Sequence, residues 1–338
     1  MNKIRIGDLY CGMGGWATGT KLSNHHHYES LKTIWAVDVW DKAIDTYKAN
    51  HDSVHTYTTD ILDLHPSDME PVDILVGSPP CPEFSNAKQA QERDIEKGME
   101  LVNKFFEFVD YIKPRFWAME NVRTFKRYMK YIKLLPEDTQ MFIMRGNDYL
   151  TPQRRYRCIL TNISKIPDKR PTKRTLGDVI STLPVPGKTE PPFFNPIYID
   201  RLGDYYSPKI NDSKNLTHHD LYPVKEKHLD KIYRKKMKNP NAGCVPCPDP
   251  LDRPARTICA KPSTTGREVI IIKDERLEYP YRYLSLREQA CLQGFPVGYI
   301  LPLQGKTVNQ ILIGNAFPPP MAASLFEQMK EDMKIDMK

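Results

Sequence analysis

A cysteine, a glutamate and two arginines have the residue types and settings of a nucleophilic site. Cys81 lies between prolines in the run GSPPCPEFS, and a proline-rich loop after an apolar segment can hold a thiol in place. Glu120 ends another apolar segment, where a carboxyl group near a thiol can act as an acid toward a ring nitrogen. Arg155 and Arg157 alternate in PQRRYR and are predicted to share one strand face. Guanidinium groups there can stabilise a thiolate or bind a pyrimidine oxygen or a phosphate.

A second group of residues is typical of a nucleoside pocket. The run DLYCGMGG places three glycines after a predicted strand, where missing side chains let a ligand approach the backbone and a helix amino terminus. Asp38 ends the next predicted strand, at a position where a carboxylate accepts hydrogen bonds from ribose hydroxyls. Trp40 can stack on an adenine ring, and Asp60 can accept from the adenine amine. Singly, each is equally typical of a capping acid or a core aromatic. The glycines are Gly12, Gly14 and Gly15.

Alternating strands and helices must position these residues. Apolar runs predict strands at 4–10, 33–37, 72–76 and 116–119, whereas helical spacing predicts helices from about 16, at 41–50 and at 99–112. This alternation predicts an α/β fold with a doubly wound, mostly parallel sheet. Ligands of such sheets bind beyond the carboxyl ends of the strands, where both groups of residues lie. Two further helices are predicted at 284–295 and 314–328.

The middle of the chain predicts a smaller, loop-rich lobe. Periodicity fades at 165–251 and proline becomes frequent, so the larger domain is predicted to comprise 1–164 plus 252–338. Residues 165–250 contain 16 Lys and Arg against 10 Asp and Glu, and this positive excess suits a polyanionic partner. A solvated face is the alternative interpretation of the same charges.

Composition excludes some classes of protein. With 40% hydrophobic residues among 338 and no apolar run of roughly 20 residues, the chain has no predicted membrane span. The first residues do not form a secretory signal, and seven cysteines in odd number favour reduced thiols, so an intracellular protein is expected. Cys244 and Cys247 form a lone CxxC downstream of His218 and His219, but without a second clean pair no metal site is predicted.

Six segments in linear order resemble the motifs of the cytosine-5 DNA methyltransferases. The resemblance spans roughly residues 4–325 and is interrupted at about 165–250, where that family carries its variable target-recognition region. The run LSLREQACLQGFP also looks like the family's approach to its last motif. Several independent motifs in one order form a far more specific signal than any one of them. The segments are DLYCGMGG, GSPPCPEFS, MENVR, PQRRYR, RPARTI and GNAFPPPMA.

The resemblance implies a Rossmann-like methyltransferase that moves a methyl group from S-adenosylmethionine to C5 of a flipped-out cytosine in a specific duplex DNA sequence. Cys81 resembles the nucleophile that attacks ring C6, and Glu120 the acid at N3. Arg155 and Arg157 resemble the arginines around the thiol and base. A monomer, with DNA contacts from the basic lobe, is implied. The positions that match the cofactor-binding residues are Tyr10, Gly12, Gly14, Gly15, Asp38, Trp40, Asp60, Pro80, Asn315 and Ala316.

Three residues depart from the family pattern. Pro82 replaces the usual glutamine after the nucleophile and stiffens the loop, which puts the loop's closing motion in question. Asp38 is one methylene shorter than the usual glutamate. Cys11 occupies a turn position that commonly holds a small residue, and we interpret it as a packing residue. None of these changes removes a group that the chemistry requires.

Rival interpretations make different predictions. A tRNA cytosine-5 methyltransferase of the same fold typically carries a Cys-Phe-Thr signature, which this chain lacks. A catalytically inactive DNA-binding relative would not need Cys81, Glu120 and Arg157. A nucleotide-binding oxidoreductase would leave the cysteine loop and GNAFPPP without a role. With no accessory domain in the sequence, an enzyme of a restriction–modification system or of a virus is favoured over a chromatin-targeted one.

Overall fold

The chain divides into two units by its internal contacts. The computed structural model describes residues 3–24, 30–84, 91, 93–186, 222–224, 229–231, 245–262, 266 and 268–336. Unit 1 comprises Met1–Tyr149, Tyr156–Arg170 and Phe317–Lys338, and unit 2 comprises Leu150–Arg155 and Pro171–Ala316. This division groups residues 252–316 with unit 2, whereas the sequence predicted them in the larger domain. The predicted recognition lobe lies mostly outside the described residues, and its boundaries stay a prediction.

Unit 1 is built on a seven-stranded sheet of order β3-β2-β1-β4-β5-β7-β6. The first five strands of that order pair in parallel, whereas β7 pairs antiparallel with both β5 and β6. The predicted α/β fold with a mostly parallel sheet is therefore confirmed. The strands are β1 Ile4–Leu9, β2 Leu31–Asp38, β3 His55–Thr58, β4 Ile74–Gly77, β5 Phe116–Val122, β6 Gln140–Arg145 and β7 Tyr156–Thr161.

Four helices of unit 1 connect or cover these strands. They are α1 Gly15–Asn24, α2 Asp41–Asn50, α3 Ile95–Ile112 and α7 Pro319–Asp336. Asp94 caps α3 by accepting the amide hydrogen of Lys97. The helix ends at Ile112, and the next residue, Lys113, has a left-handed backbone conformation and precedes Pro114. None of the described helices combines the length and apolar character that crossing a membrane requires.

The central strands of unit 1 bury side chains on both faces of the sheet. One face packs Trp35 and Trp117 against Phe105 and Phe106 of α3. The other face packs Ile6, Ile74 and Val76 with Trp16 of α1 and Met321 and Phe326 of α7. Strands buried on both faces read as continuous apolar runs, which is why their positions were predictable.

The described part of unit 2 is held by a buried ion network. Arg282 is fully buried; it donates to Asp274 and makes two hydrogen bonds to Glu288, at 2.7 and 2.8 Å. Although burial alone would raise it, hydrogen bonds from Arg276 and Arg282 lower the pKa of Asp274 to about 2. Glu288 also completes the capping box of α5 with Ser285. The elements are α4 Leu176–Ser181, β8 Ile271–Lys273, β9 Tyr281–Tyr283, α5 Leu286–Gln293 and α6 Lys306–Asn315.

Two sequence predictions of secondary structure need correction. The helix predicted at 314–328 is in fact the end of α6 and most of α7, which are separated at 316–318. Proline lacks the amide hydrogen that a helix interior needs and is tolerated in a first turn, so α7 begins within the run Pro318–Pro320. The strand β7 begins at Tyr156, so Arg155 precedes it and does not share a strand face with Arg157.

Close packing of α1 against α7 gives a stability prediction. A Cβ atom at Gly19 would lie 2.5 Å from the Ala322 Cβ and 2.9 Å from the Pro319 carbonyl oxygen. We expect Gly19→Leu to lower the free energy of unfolding by about 2 kcal/mol or more, because the helices must move apart to admit the side chain. Urea denaturation measures this, with Ala49→Leu at an exposed α2 position as the control. Equal stability of both variants would contradict the described packing.

Candidate functional site

The Cys81 loop is anchored on both sides of the cysteine. It follows β4, where the Trp16 indole donates to the Ser78 hydroxyl at 3.0 Å. The Asn121 side chain donates to the Pro79 carbonyl oxygen at 3.1 Å. Beyond Cys81, residues 82–84 form a 3-10 turn that ends at the fully buried Phe84. These contacts hold the loop at the carboxyl end of β4.

Cys81 differs from the buried cysteines in its exposure. Cys81 is half-buried, whereas Cys11, Cys158 and Cys291 are buried. Burial raises the pKa of Cys158 to about 12 and that of Cys291 to about 11, and it raises the pKa of Cys11 well above its usual value. A thiol must ionise and be reached to act as a nucleophile, so these three cysteines are suited to packing.

Glu120 and Arg157 form a buried ion pair between β5 and β7. The guanidinium Nε of Arg157 contacts the Glu120 Oε1, and the two side chains are 10% and 7% exposed. The antiparallel register pairs Glu120 with Ile159 and Val122 with Arg157. Because Ile159 and Arg157 are two residues apart on β7, the side chains of Glu120 and Arg157 lie on the same face of the sheet. In the parallel neighbour β4, Gly77 pairs with Met119, so Glu120 and the Cys81 loop follow the same point of the sheet.

Asn121 is a functional candidate that sequence reasoning missed. It is buried, and it points to the opposite sheet face from Glu120 because successive strand residues alternate. Its amide is the group that donates to the Pro79 carbonyl. The run MENVR could have indicated this role, because an amide side chain directly after the candidate acid can hydrogen-bond to the loop that follows the neighbouring strand.

The glycine turn after β1 is held in shape by backbone and side-chain contacts. Tyr10, Gly12 and Gly14 have positive φ angles of 56°, 53° and 92°. Nothing lies within 4 Å of where a Gly12 Cβ would be, whereas a Cβ at Gly15 would collide with the Phe317 carbonyl. Gly12 therefore leaves open space, and Gly15 allows α1 to approach the backbone that precedes α7.

Asp38 connects the ends of β1 and β2. Its two carboxylate oxygens accept the amide hydrogens of Gly12 at 2.8 Å and Trp40 at 2.9 Å. Burial raises the pKa of Asp38, although these two hydrogen bonds and one from the Val39 amide oppose the shift. Trp40 is half-buried at the start of α2.

Asp60 and Pro80 complete the row of predicted cofactor residues in unit 1. Asp60 follows β3 and accepts the amide hydrogen of Leu62 at 3.0 Å. The Tyr10 hydroxyl donates to the Leu101 carbonyl at 2.7 Å, and burial raises the Tyr10 pKa, with the charge of Asp60 contributing. Pro80 is exposed. Asp60, Tyr10 and Pro80 therefore follow parallel strands at the same edge of the sheet.

Buried polar residues beneath the turn were also missed from sequence. Asp8 is fully buried, and neither carboxyl oxygen accepts a hydrogen bond from the described residues. Burial raises the pKa of Asp8 well above its usual value, and the negative charge of Asp38 adds to this effect.

The glycine turn is also supported by Thr18 and His51. The Thr18 hydroxyl donates to the Gly14 carbonyl at 2.7 Å and lies 3.3 Å from the His51 Nε2. Burial lowers the pKa of His51 well below its usual value, so a neutral ring supports the turn.

Three predicted site residues lie in unit 2. Arg155 is buried, and its guanidinium donates to the carbonyls of Ile258 at 3.0 Å and Gly314 at 2.7 Å. Asn315 is exposed at the end of α6, and the buried Ala316 accepts a hydrogen bond from Gln293 through its carbonyl. The guanidinium of Arg155 is thus engaged with main-chain oxygens, as expected for a residue that holds backbone in place.

The unit 1 edge carries groups suited to binding a nucleoside. Asp38 can accept from ribose hydroxyls, and Trp40 offers an aromatic face. Asp8 has two buried oxygens that no described donor satisfies, and such groups ordinarily find a partner. The open space at Gly12 admits a ligand close to the backbone. The residues present therefore fit S-adenosylmethionine.

Comparisons with known proteins agree with this fold. The mostly parallel seven-stranded sheet has the fold of solved DNA methyltransferase structures. The family model for C-5 cytosine-specific DNA methylases matches residues 4–331. The chain belongs to the C-5 cytosine-specific DNA methylase family, and the resemblance inferred from its motifs is confirmed.

Two relatives and two solved structures illustrate matches that cover nearly the whole chain. The type II methyltransferase M1.ScrFI of Lactococcus lactis subsp. cremoris is 26% identical over 99% of this chain and 80% of its own length. The type II methyltransferase M1.HphI of Haemophilus parahaemolyticus is 25% identical over 95% and 85%. The crystal structure of a protein encoded within a prophage of E. coli has a TM-score of 0.70 and 18% identity, and the match covers 97% of this chain and 99% of that one. The S. pombe Dnmt2 methyltransferase has a TM-score of 0.64 and 18% identity, covering 98% and 100%.

Because Glu120 and Arg157 form a buried ion pair, we expect substitutions of the two residues to have strongly coupled effects on stability. We expect Arg157→Met to lower the free energy of unfolding by about 3 kcal/mol, because it leaves the Glu120 carboxylate buried without its cation. Adding Glu120→Leu should restore most of this loss. A double-mutant cycle from denaturant unfolding measures the coupling. Additive effects of the two changes would show that the residues do not form a pair in solution.

Proposed function

We propose that this enzyme transfers a methyl group from S-adenosylmethionine to C5 of a flipped-out cytosine in a specific duplex DNA sequence, with Cys81 as the nucleophile. The observation that carries the proposal is the arrangement at the ends of β4 and β5. A half-buried cysteine in an anchored loop follows one strand, and a carboxyl group paired with a buried arginine lies in its parallel neighbour.

The chemistry of cytosine explains why a thiol is needed. C5 is a poor nucleophile, so the Cys81 thiolate adds to C6 and gives the ring an electron-rich C5. The electron pair displaced by this addition develops as charge toward N3. Glu120 would stabilise that charge by donating a hydrogen bond to N3, which requires its protonated, carboxylic acid form. The Arg157 guanidinium beside it holds the side chain of Glu120 in position.

The second half of the reaction restores the ring. When bound, S-adenosylmethionine supplies a methyl group whose carbon is activated by the neighbouring sulfonium. Transfer of this carbon to C5 would break its bond to sulfur and release the neutral thioether S-adenosylhomocysteine. Loss of the C5 proton to solvent water, with release of the Cys81 thiolate from C6, would then regenerate the aromatic base. The thiolate leaves as it arrived, so the enzyme is unchanged after each turnover.

The residues proposed to hold the cofactor follow β1, β2 and β3. Asp38 would accept from the ribose hydroxyls, Trp40 would stack on the adenine, and Asp60 would accept from the adenine amine. Tyr10, Gly12, Gly14 and Gly15 would hold the methionine portion, and Asp8 would offer buried acceptors to it. Pro80, Asn315 and Ala316 are proposed to close the site. Arg155 acts through the backbone it holds.

The substrate must be extruded before it can react. Stacked duplex DNA shields C6 and C5, so flipping the base costs a few kcal/mol that protein contacts must offset. We propose that residues 165–251 recognise the sequence through the DNA grooves. The matched type II methyltransferases support a modification role within a restriction–modification system. We further propose that the enzyme acts as an intracellular monomer.

The nucleophile is tested by methyl transfer from tritiated S-adenosylmethionine to duplex DNA. We expect Cys81→Ser to reduce labelling roughly a thousandfold or more, since a serine hydroxyl is a far weaker nucleophile at neutral pH. Duplex carrying 5-fluorocytosine should form a denaturation-resistant adduct with the wild type but not with Cys81→Ser, because fluorine cannot leave C5 as a proton does and the bond from Cys81 to C6 is therefore not released. Cys259→Ser, the same change at another half-buried cysteine, serves as the control.

The outcomes separate the competing functions. Full activity of Cys81→Ser would overturn the nucleophile assignment. Transfer to tRNA in parallel reactions, with none to DNA, would assign the protein to the RNA branch of the fold. A folded wild type that binds the cofactor and labels neither acceptor would be an inactive relative.

The cofactor assignment is tested at Asp38. We expect Asp38→Ala to raise the KM for S-adenosylmethionine about tenfold or more and to weaken S-adenosylhomocysteine binding similarly in calorimetry, because the ribose hydroxyls lose their acceptor. Asp38→Glu, which has the family's usual residue, should retain binding within a few fold. The exposed Asp41→Ala is the matched control. Unchanged affinity in Asp38→Ala, with a normal melting temperature, would place the ribose elsewhere.

A further inference from the structure

A densely cationic segment follows the strand that carries Glu120. Residues 123–133, RTFKRYMKYIK, form two 3-10 turns, Arg123–Arg127 and Met129–Tyr131. The segment contains five basic residues and no acidic residue, and all five are exposed. We refer to these five side chains as the 123–133 surface. They are Arg123, Lys126, Arg127, Lys130 and Lys133.

The charges of this surface are not neutralised within the described part of unit 1. Elsewhere in unit 1, cations pair with carboxylates, as in Lys104 with Glu107 and Arg145 with Asp148. No described carboxylate lies within 4.0 Å of the five cations. Two of them instead lie over aromatic rings, Arg123 at 5.4 Å from the Tyr156 centroid and Lys130 at 5.0 Å from that of Tyr131. Mutual repulsion among the five is relieved when a polyanion binds.

The surface is held firmly beside the nucleophile loop. Phe125, in the middle of the first turn, is fully buried, and Ile132 is 9% exposed. The Phe84 ring of the Cys81 loop lies 4.9 Å from the Phe125 ring and 5.1 Å from the Tyr128 ring, between centroids. The Thr124 hydroxyl donates to the Phe84 carbonyl. The cations are therefore displayed by an anchored segment that shares its core with the loop holding Cys81.

The spacing of the charges indicates the kind of partner. Exposed cations distributed over 11 residues, with the exposed Tyr131 among them, suit the repeated phosphates of a nucleic acid backbone better than one compact anion. We propose that the 123–133 surface binds phosphates of the duplex that flank the cytosine attacked by Cys81. This inference rests on the proposed function. It assigns phosphate contacts to unit 1 in addition to those expected from residues 165–251.

The salt dependence of DNA binding tests this assignment. Fluorescence anisotropy of a labelled 30-base-pair duplex would be measured over a series of salt concentrations for the wild type and for K126Q/R127Q/K130Q. Each lost phosphate contact lowers the slope of log K against log salt concentration by about 0.9. We expect the slope to fall by between about 2 and 3, with binding at least about tenfold weaker at 0.1 M salt.

The control removes the same number of charges elsewhere on unit 1. K32Q/K48Q/K113Q changes three exposed lysines on β2, on α2 and after α3, and its slope should match the wild type. Melting temperatures of both variants check the fold. Equal slopes for the two variants, with methyl transfer by the wild type intact, would overturn the surface assignment alone. Absence of methyl transfer to DNA by the wild type would overturn the proposed function and this inference with it.

Discussion

The candidate site depends on the parallel pairing of β3, β2, β1, β4 and β5. Parallel strands all end at one edge, so residues far apart in sequence, such as Asp38 at the end of β2 and Glu120 near the end of β5, lie along the same edge of the sheet. The edge also leaves backbone amides and loop residues without a ladder partner. Asp38 satisfies two of these amides, and Asn121 satisfies the carbonyl of Pro79. The polar residues of the site thus also complete the hydrogen bonding of the sheet edge.

Burial of charge at this edge is costly and therefore informative. Asp8 and Asp38 have raised pKa values because of desolvation, and Glu120 is buried against the Arg157 guanidinium. Hydrophobic residues would stabilise the same positions more simply. Carboxyl groups retained where they are costly indicate a ligand or reaction that uses them. The unsatisfied oxygens of Asp8 point in the same direction.

The sequence predicted correctly those elements whose pattern lies within a short stretch of the chain, and it failed where the structure depends on residues far apart in sequence. β1, β4 and β5 are buried apolar runs, and α2 has clear helical spacing, so their existence was predicted correctly. β6 was missed because it is an edge strand with exposed residues at its start. Arg155 was expected beside Arg157 because alternation is a local rule. Its guanidinium is instead held by carbonyls of residues 258 and 314, a pairing that no local pattern indicates.

The sequence by itself determined the fold class, the family and the identity of the groups available for chemistry. Period-two and helical patterns are local, and six motifs in order are a specific signal. Tertiary structure alone decided which charges are buried, which cysteines are packed away, and that Asn121, Thr18 and His51 support the loops of the site. It also decided that the 123–133 surface is anchored against Phe84. Burial and pairing are set by contacts between residues distant in sequence, and such contacts exist only once the chain has folded.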